Sequence, residues 1–133
     1  MPARSVATEI AGLAIPCNVA SEADINAGVA TGGDPLATPI DVWNDQWQIN
    51  LMRHVYAVRA VLPGMLERGE GYLLHTASMA GGILTSQGNL TYAVTKHAVV
   101  GLAEWLAIRY HDQGICVSLL APLGVRTQIW SAG

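Results

Sequence analysis

The chain has 133 residues, 51% hydrophobic and only 13% charged, with a formal net charge of -3. That balance carries no electrostatic footprint for nucleic acid or an anionic membrane. No run approaches the ~18 consecutive apolar residues of a membrane span, and the Met-Pro-Ala-Arg start lacks a signal-peptide core, so a soluble cytoplasmic protein is expected.

Residues 2–11 read as a short helix stopped by Gly12, and L13-A-I-P-C-N-V19 as a strand that Pro16 keeps from a central place. S21-E-A-D has the composition of a helix start with no helix after it, and residues 28–40 are a Gly-, Thr- and Pro-rich loop. Asp41 is placed to cap the next helix, along which Trp47, Leu51, Val55, Val58 and Leu62 recur at helical spacing. Pro63 lacks a backbone donor and should kink or end that helix. A buried strand over 71–77 runs into Ser78, a loop covers 79–91, a helix spans 92–112, and a second apolar strand spans 115–121 before P122-L-G-V-R-T127. Strands separated by helices imply a parallel, doubly wound α/β sheet in one domain over residues 1–133.

The chemistry concentrates in T91-Y-A-V-T-K-H, with Tyr92 and Lys96 four residues apart and Ser78 fourteen before the tyrosine. An unperturbed phenol has a pKa of about 10, too high for proton traffic at neutral pH. An ammonium one helical turn away favours the phenolate, and i, i+4 spacing puts both side chains on one helix face. A serine hydroxyl beside the phenol can hold a carbonyl or alcohol oxygen in line for proton transfer.

With strand-terminal Ser78, the Tyr92/Lys96 pair and the loop Pro122, Gly124, Val125 and Thr127, the chain resembles the short-chain dehydrogenase/reductase family. Upstream, W43-N-D-Q-W-Q-I-N50-L is similar to the family's helix bearing its active-site asparagine. N26-A-G28 is similar to the end of its Asn-Asn-Ala-Gly motif, with Ile25 where the first asparagine would stand. The resemblance implies a three-layer Rossmann-type fold, here partial, with sheet order 3-2-1-4-5-6-7 and NAD or NADP at the switch point. It implies hydride transfer between a secondary alcohol and a ketone: Tyr92 as general acid or base, Lys96 aiding it and holding the nicotinamide ribose, Ser78 orienting the substrate oxygen, and Asn50 holding a water that links Lys96 to solvent. Asn26, Ala27 and Gly28 are carried over near the adenosine ribose, and Pro122, Gly124, Val125 and Thr127 near the carboxamide. Asn18 stands where the family usually has an aspartate contacting adenine.

Parts of the family pattern are missing. No G-x-G-x-x-G or TGxxxGxG turn occurs, and Gly69 and Gly71 precede a strand instead of opening a helix. Asp24 meets Ile25 and Asn26 where the family inserts a helix and a strand. The expected explanation is a longer protein with segments left out, which an intact mass above that of 133 residues would confirm; a truncated product is the other reading. Two adjacent strands alone are marginal as a free sheet. The non-enzyme alternative is an inactive homologue that acts only as a dimerisation or interaction module.

Cys17 and Cys116 sit in apolar strand-like runs and read as buried, reduced thiols. His54, His75, His97 and His111 show no ligand spacing, so no metal is expected, and His97 belongs to packing or surface. Val94, Ala98, Leu102, Trp105 and Leu106 form an apolar stripe best explained by burial, with coverage broad enough for a partner in a homodimer or homotetramer. Met79, Ile83, Leu84 and Gln87 are expected to line a mostly apolar substrate pocket.

Overall fold

The computed structural model describes residues 34–79 and 90–122. The expected helix at 2–11, the strand at 13–19, and Cys17, Asn18, Asn26, Ala27, Gly28, Gly124, Val125 and Thr127 lie outside the described residues, as do Ile83, Leu84 and Gln87. Asp34 opens the described part with a turn, its carboxylate accepting from the amides of Leu36 (2.7 Å) and Ala37 (3.0 Å).

Helix α1 runs over Ile40–Trp47 and passes through a π-helical turn, Gln48–Met52, into α2, Arg53–Arg68. Pro39, with extended backbone, stands at the N-cap, so Asp41 is not the cap. Asp41 lies in the first turn, where its carboxylate accepts from the amide of Val42 (2.9 Å) and its charge suits the helix's positive end. Pro63 does not end α2, which continues five residues further to Arg68. Pro63 removes the amide that the Arg59 carbonyl would otherwise accept from, and both residues are exposed. Gly69, at φ 72°, then closes the helix: its amide donates to Leu66 and that of Glu70 to Met65, the two bonds of a Schellman cap.

Strand β1, Gly71–Thr76, follows, and helix α3 over Leu90–Tyr110 leads through a 3-10 turn, His111–Gln113, to β2, Ile115–Leu120. The strands pair in parallel from Gly71↔Ile115 to Thr76↔Leu120, the arrangement expected of strands joined by a helical crossover. Leu73 and His75 point inward from β1 beneath α2 and α3, while Tyr72 and Leu74 are exposed on the opposite face. This is an α/β fold of which the described residues contain the sheet and the helical layer on one face.

Two apolar clusters hold the layers together. Val58, Leu62 and Met65 of α2 meet Leu73, Leu106 and Ile115 towards the start of the strands, and Leu51, Ala77 and Val99 meet towards their carboxyl ends. Burial of each large side chain contributes about 1.5–3 kcal/mol. On α3 the buried residues are Thr91, Ala93, Thr95, Lys96, Val99, Ala103 and Leu106, so the predicted stripe is only partly an interior one. Val94 and Trp105 are exposed because they lie round the helix from these. Cys116 is exposed as well, since alternation along β2 sends Ile115 inward and its neighbour outward.

Candidate functional site

The candidate residues gather where the two strands end. The backbone amide of Ala77 donates to Leu120 (2.8 Å) and that of Met79 to Pro122 (3.1 Å), which extends the parallel register beyond both strands. Ser78, itself buried, and Pro122 are thereby held side by side at the carboxyl edge of the sheet, the usual place for ligands in open α/β sheets.

Among the described residues Lys96 is the largest side chain to be almost wholly buried, at 2% exposure. Its ammonium donates to the backbone carbonyl of Thr76 at 3.4 Å and lies 5.6 Å from the centre of the Tyr92 ring. The i, i+4 relation therefore brings amine and aromatic ring together, with Tyr92 half-buried in the first turns of α3. Burial, and after it the neighbouring Arg53 guanidinium, lower the Lys96 pKa from 10.5 to about 8.

Asn50 reaches the same place from the other helix. It is fully buried in the π-turn, and its Nδ2 donates to Thr95 Oγ1 at 2.9 Å. Thr95 hands its own hydrogen to the Thr91 carbonyl (2.8 Å), a bond that orients the hydroxyl as an acceptor for Asn50. A π-turn inserts one extra residue into the helix, so consecutive Asn50 and Leu51 both face inward while Trp47 is turned out to 39% exposure. Leu51 then fills the core beside Val99, and Asn50 is left against the residue next to Lys96.

Two histidines that ligand spacing passed over also meet here. His54 Nδ1 and His75 Nδ1 are 3.2 Å apart, with ring centres 5.2 Å apart. Burial above all, then the charges of His75, Lys96 and Arg53, lower His54 to about 4, and burial lowers His75. The signal for this pair lay in each local period: His54 is one turn beyond Asn50, and His75 alternates with inward Leu73. Thr95 and Arg53 carried no signal beyond adjacency to Lys96 and His54. His97 is exposed, its Nδ1 2.8 Å from the Ala93 carbonyl, and among the described residues no three His, Cys, Asp or Glu side chains come together. Of the expected pocket residues only Met79 is described, half-buried beside Ser78.

The short chain dehydrogenase family model matches residues 24–132. The 2-keto-3-deoxy-L-fuconate dehydrogenase of Xanthomonas campestris pv. campestris is 36% identical over 101 residues, 76% of this chain and 34% of that protein. The inactive 2-(S)-hydroxypropyl-CoM dehydrogenase 2 of Xanthobacter autotrophicus is 34% identical over 97 residues, 73% of this chain and 42% of that protein. Among solved structures, a gluconate 5-dehydrogenase from Burkholderia cenocepacia in complex with NADP and tartrate superposes with a TM-score of 0.73 at 28% identity, over 78% of this chain and 40% of that one. The chain thus spans about a third to two fifths of the length of these proteins.

Proposed function

Because this chain belongs to the short-chain dehydrogenase family, we propose that it carries the proton-transfer half of an NAD(P)-dependent oxidoreductase that interconverts a secondary alcohol and a ketone. The observation that carries this reading is the buried Lys96 ammonium, 5.6 Å from the Tyr92 ring and braced on the Thr76 carbonyl. A buried cation with so little solvent is costly to maintain, and a ring hydroxyl that gains and loses charge is a reason to maintain it.

The residues at the carboxyl edge fit the nicotinamide end of the cofactor. The Lys96 ammonium, a hydrogen-bond donor, lies on the Thr76 carbonyl at 3.4 Å, and the Met79–Pro122 bond holds Pro122 beside Ser78. Lys96 would hold the ribose and Pro122 would approach the carboxamide, with Gly124, Val125 and Thr127 after it; Asn26, Ala27, Gly28 and Asn18 are assigned to the adenosine end. When bound, the nicotinamide supplies the hydride chemistry. Tyr92 takes the alcohol's proton on its phenolic oxygen, or returns it to the carbonyl in the opposite direction. Charge that develops on that oxygen meets the Lys96 ammonium, and Ser78 orients the substrate oxygen. Asn50, fixed through Thr95, holds a water that carries protons between Lys96 and solvent. Exposed Val94, Trp105 and Ile108 lie along one face of α3 and would pair with a second copy in a homodimer.

A second reading is favoured by a relative named as inactive: a homologue that pairs but does not bind dinucleotide. Isothermal titration with NADH and NADPH separates the two. Saturable heat with either nucleotide is expected of the oxidoreductase; a folded protein that takes up neither is the pairing module.

A further inference from the structure

Neither the proton donor Tyr92 nor its lysine accounts for the histidine pair behind them. His75 is 3% exposed on β1, and its Nε2 is buried with no hydrogen-bond partner among the described residues. A native interior rarely tolerates such an atom without a use for it. Its Nδ1 lies 3.2 Å from His54 Nδ1, a hydrogen-bond distance, and His54 is half-buried on α2. The pair is tied to the proposed centre at both ends: Thr76, next to His75, takes the Lys96 ammonium, and Asn50 is one turn before His54.

Nitrogens at that separation could both reach one divalent ion, but the groups facing His54 are His75, Lys96 and Arg53, two of them cationic, and no third ligand joins among the described residues. Burial and the same cations disfavour the imidazolium of His54, and burial alone disfavours that of His75, so the pair is taken as two neutral rings. One hydrogen must then lie in the bridge. A buried N–H with no acceptor is rarer than a bare acceptor, so the hydrogen belongs to His75 Nδ1 and His75 Nε2 is a bare lone pair. His54 consequently carries its hydrogen on Nε2.

We propose that His75 and His54 are a two-imidazole proton conduit between the water assigned to Asn50 and bulk solvent, with His75 the inner ring and His54 the outer. The proposal rests on the oxidoreductase reading above. In the outward direction an N–H bond forms at His75 Nε2, the bridging proton crosses from His75 Nδ1 to His54 Nδ1, and the His54 Nε2–H bond breaks to release a proton. The entering proton leaves an O–H of the Asn50 water and one proton leaves His54, no electrons move, and both rings exchange tautomers before the next outward passage. The two histidines act through other groups and do not touch the substrate, so they are positioning residues.

The test uses the whole active protein with His75→Asn and His54→Asn, side chains that stay polar but cannot relay a proton. In weak buffer kcat for alcohol oxidation is expected to fall about tenfold, less than loss of a direct general acid costs. Added imidazole should restore it, with KM for the nucleotide unchanged. Variants within twofold of the wild type from pH 6 to 9, or a loss that imidazole does not repair, overturn the conduit. Should a variant not fold, nitrogen NMR of the wild type decides: His75 with hydrogen on Nδ1 and a bare Nε2 supports the proposal, and hydrogen on Nε2 overturns it. A wild-type protein with neither nucleotide binding nor turnover sinks the functional reading and the conduit together, whereas an active wild type with unaffected variants sinks the conduit alone.

Discussion

At the scale of single residues, the interior holds an ammonium that burial and Arg53 both oppose, and the opposition is measurable through protons. Lys96 titrates at about 8 in the folded chain against 10.5 ordinarily. Between those values the unfolded chain keeps a proton that the folded chain has released. Stability therefore rises as pH climbs through that window, and the full cost of the buried charge is present below about pH 8. The gain across the window should approach ~3 kcal/mol. Urea unfolding at pH 7.5, 9 and 10.5 is expected to show it in the wild type, and Lys96→Met should flatten the trend.

Elements were legible where period and punctuation agreed. The strand before Ser78, the long helix through Tyr92 and the strand after Gly114 all formed within a residue or two of their expected bounds. The π-turn at Gln48–Met52 was not legible, because an inserted residue leaves no mark in a pattern read at a fixed period. Exposure of Val94, Trp105 and Cys116 was missed for a related reason: apolar character records which residues could be buried and not which face receives a neighbour. Punctuation by glycine can be tested directly at the amino ends of the strands. Gly69 and Gly114 both have positive φ, 72° and 81°. A Cβ on Gly69 meets nothing within 4 Å, whereas one on Gly114 would lie 1.9 Å from the Gly69 carbonyl oxygen. Gly69→Ala is expected to cost about 1 kcal/mol, the left-handed penalty alone. Gly114→Ala should cost clearly more, at least ~2 kcal/mol, since backbone must also shift. Chemical denaturation of the two variants gives the order, and equal losses would show that the close approach is relieved cheaply.

For the whole molecule, the candidate site is a property of assembly: Asn50 arrives from one helix, Lys96 from another, and Ser78 and Pro122 from two strand ends. The family pattern named those residues from one-dimensional spacing, while their bracing by Thr95 and the neighbouring histidine pair needed the packed structure. The assignments at Asn18, Asn26, Ala27, Gly28, Gly124, Val125 and Thr127 rest on the resemblance. Pairing is tested at the same scale. Sedimentation at micromolar concentration is expected to show a dimer, and Trp105→Glu with Ile108→Lys on the exposed face of α3 should yield a monomer; a wild type that sediments only as monomer would remove the proposed partner.

The role proposed for Tyr92 is to exchange a proton with substrate under the charge of Lys96. Its most direct test is nicotinamide reduction followed by absorbance with a panel of secondary alcohols, for the wild type and for Tyr92→Phe. Removal of one phenolic oxygen should leave nucleotide binding in place and lower kcat by at least ~100-fold, the contribution of a positioned general base. A Tyr92→Phe protein that turns over as fast as the wild type would contradict the account.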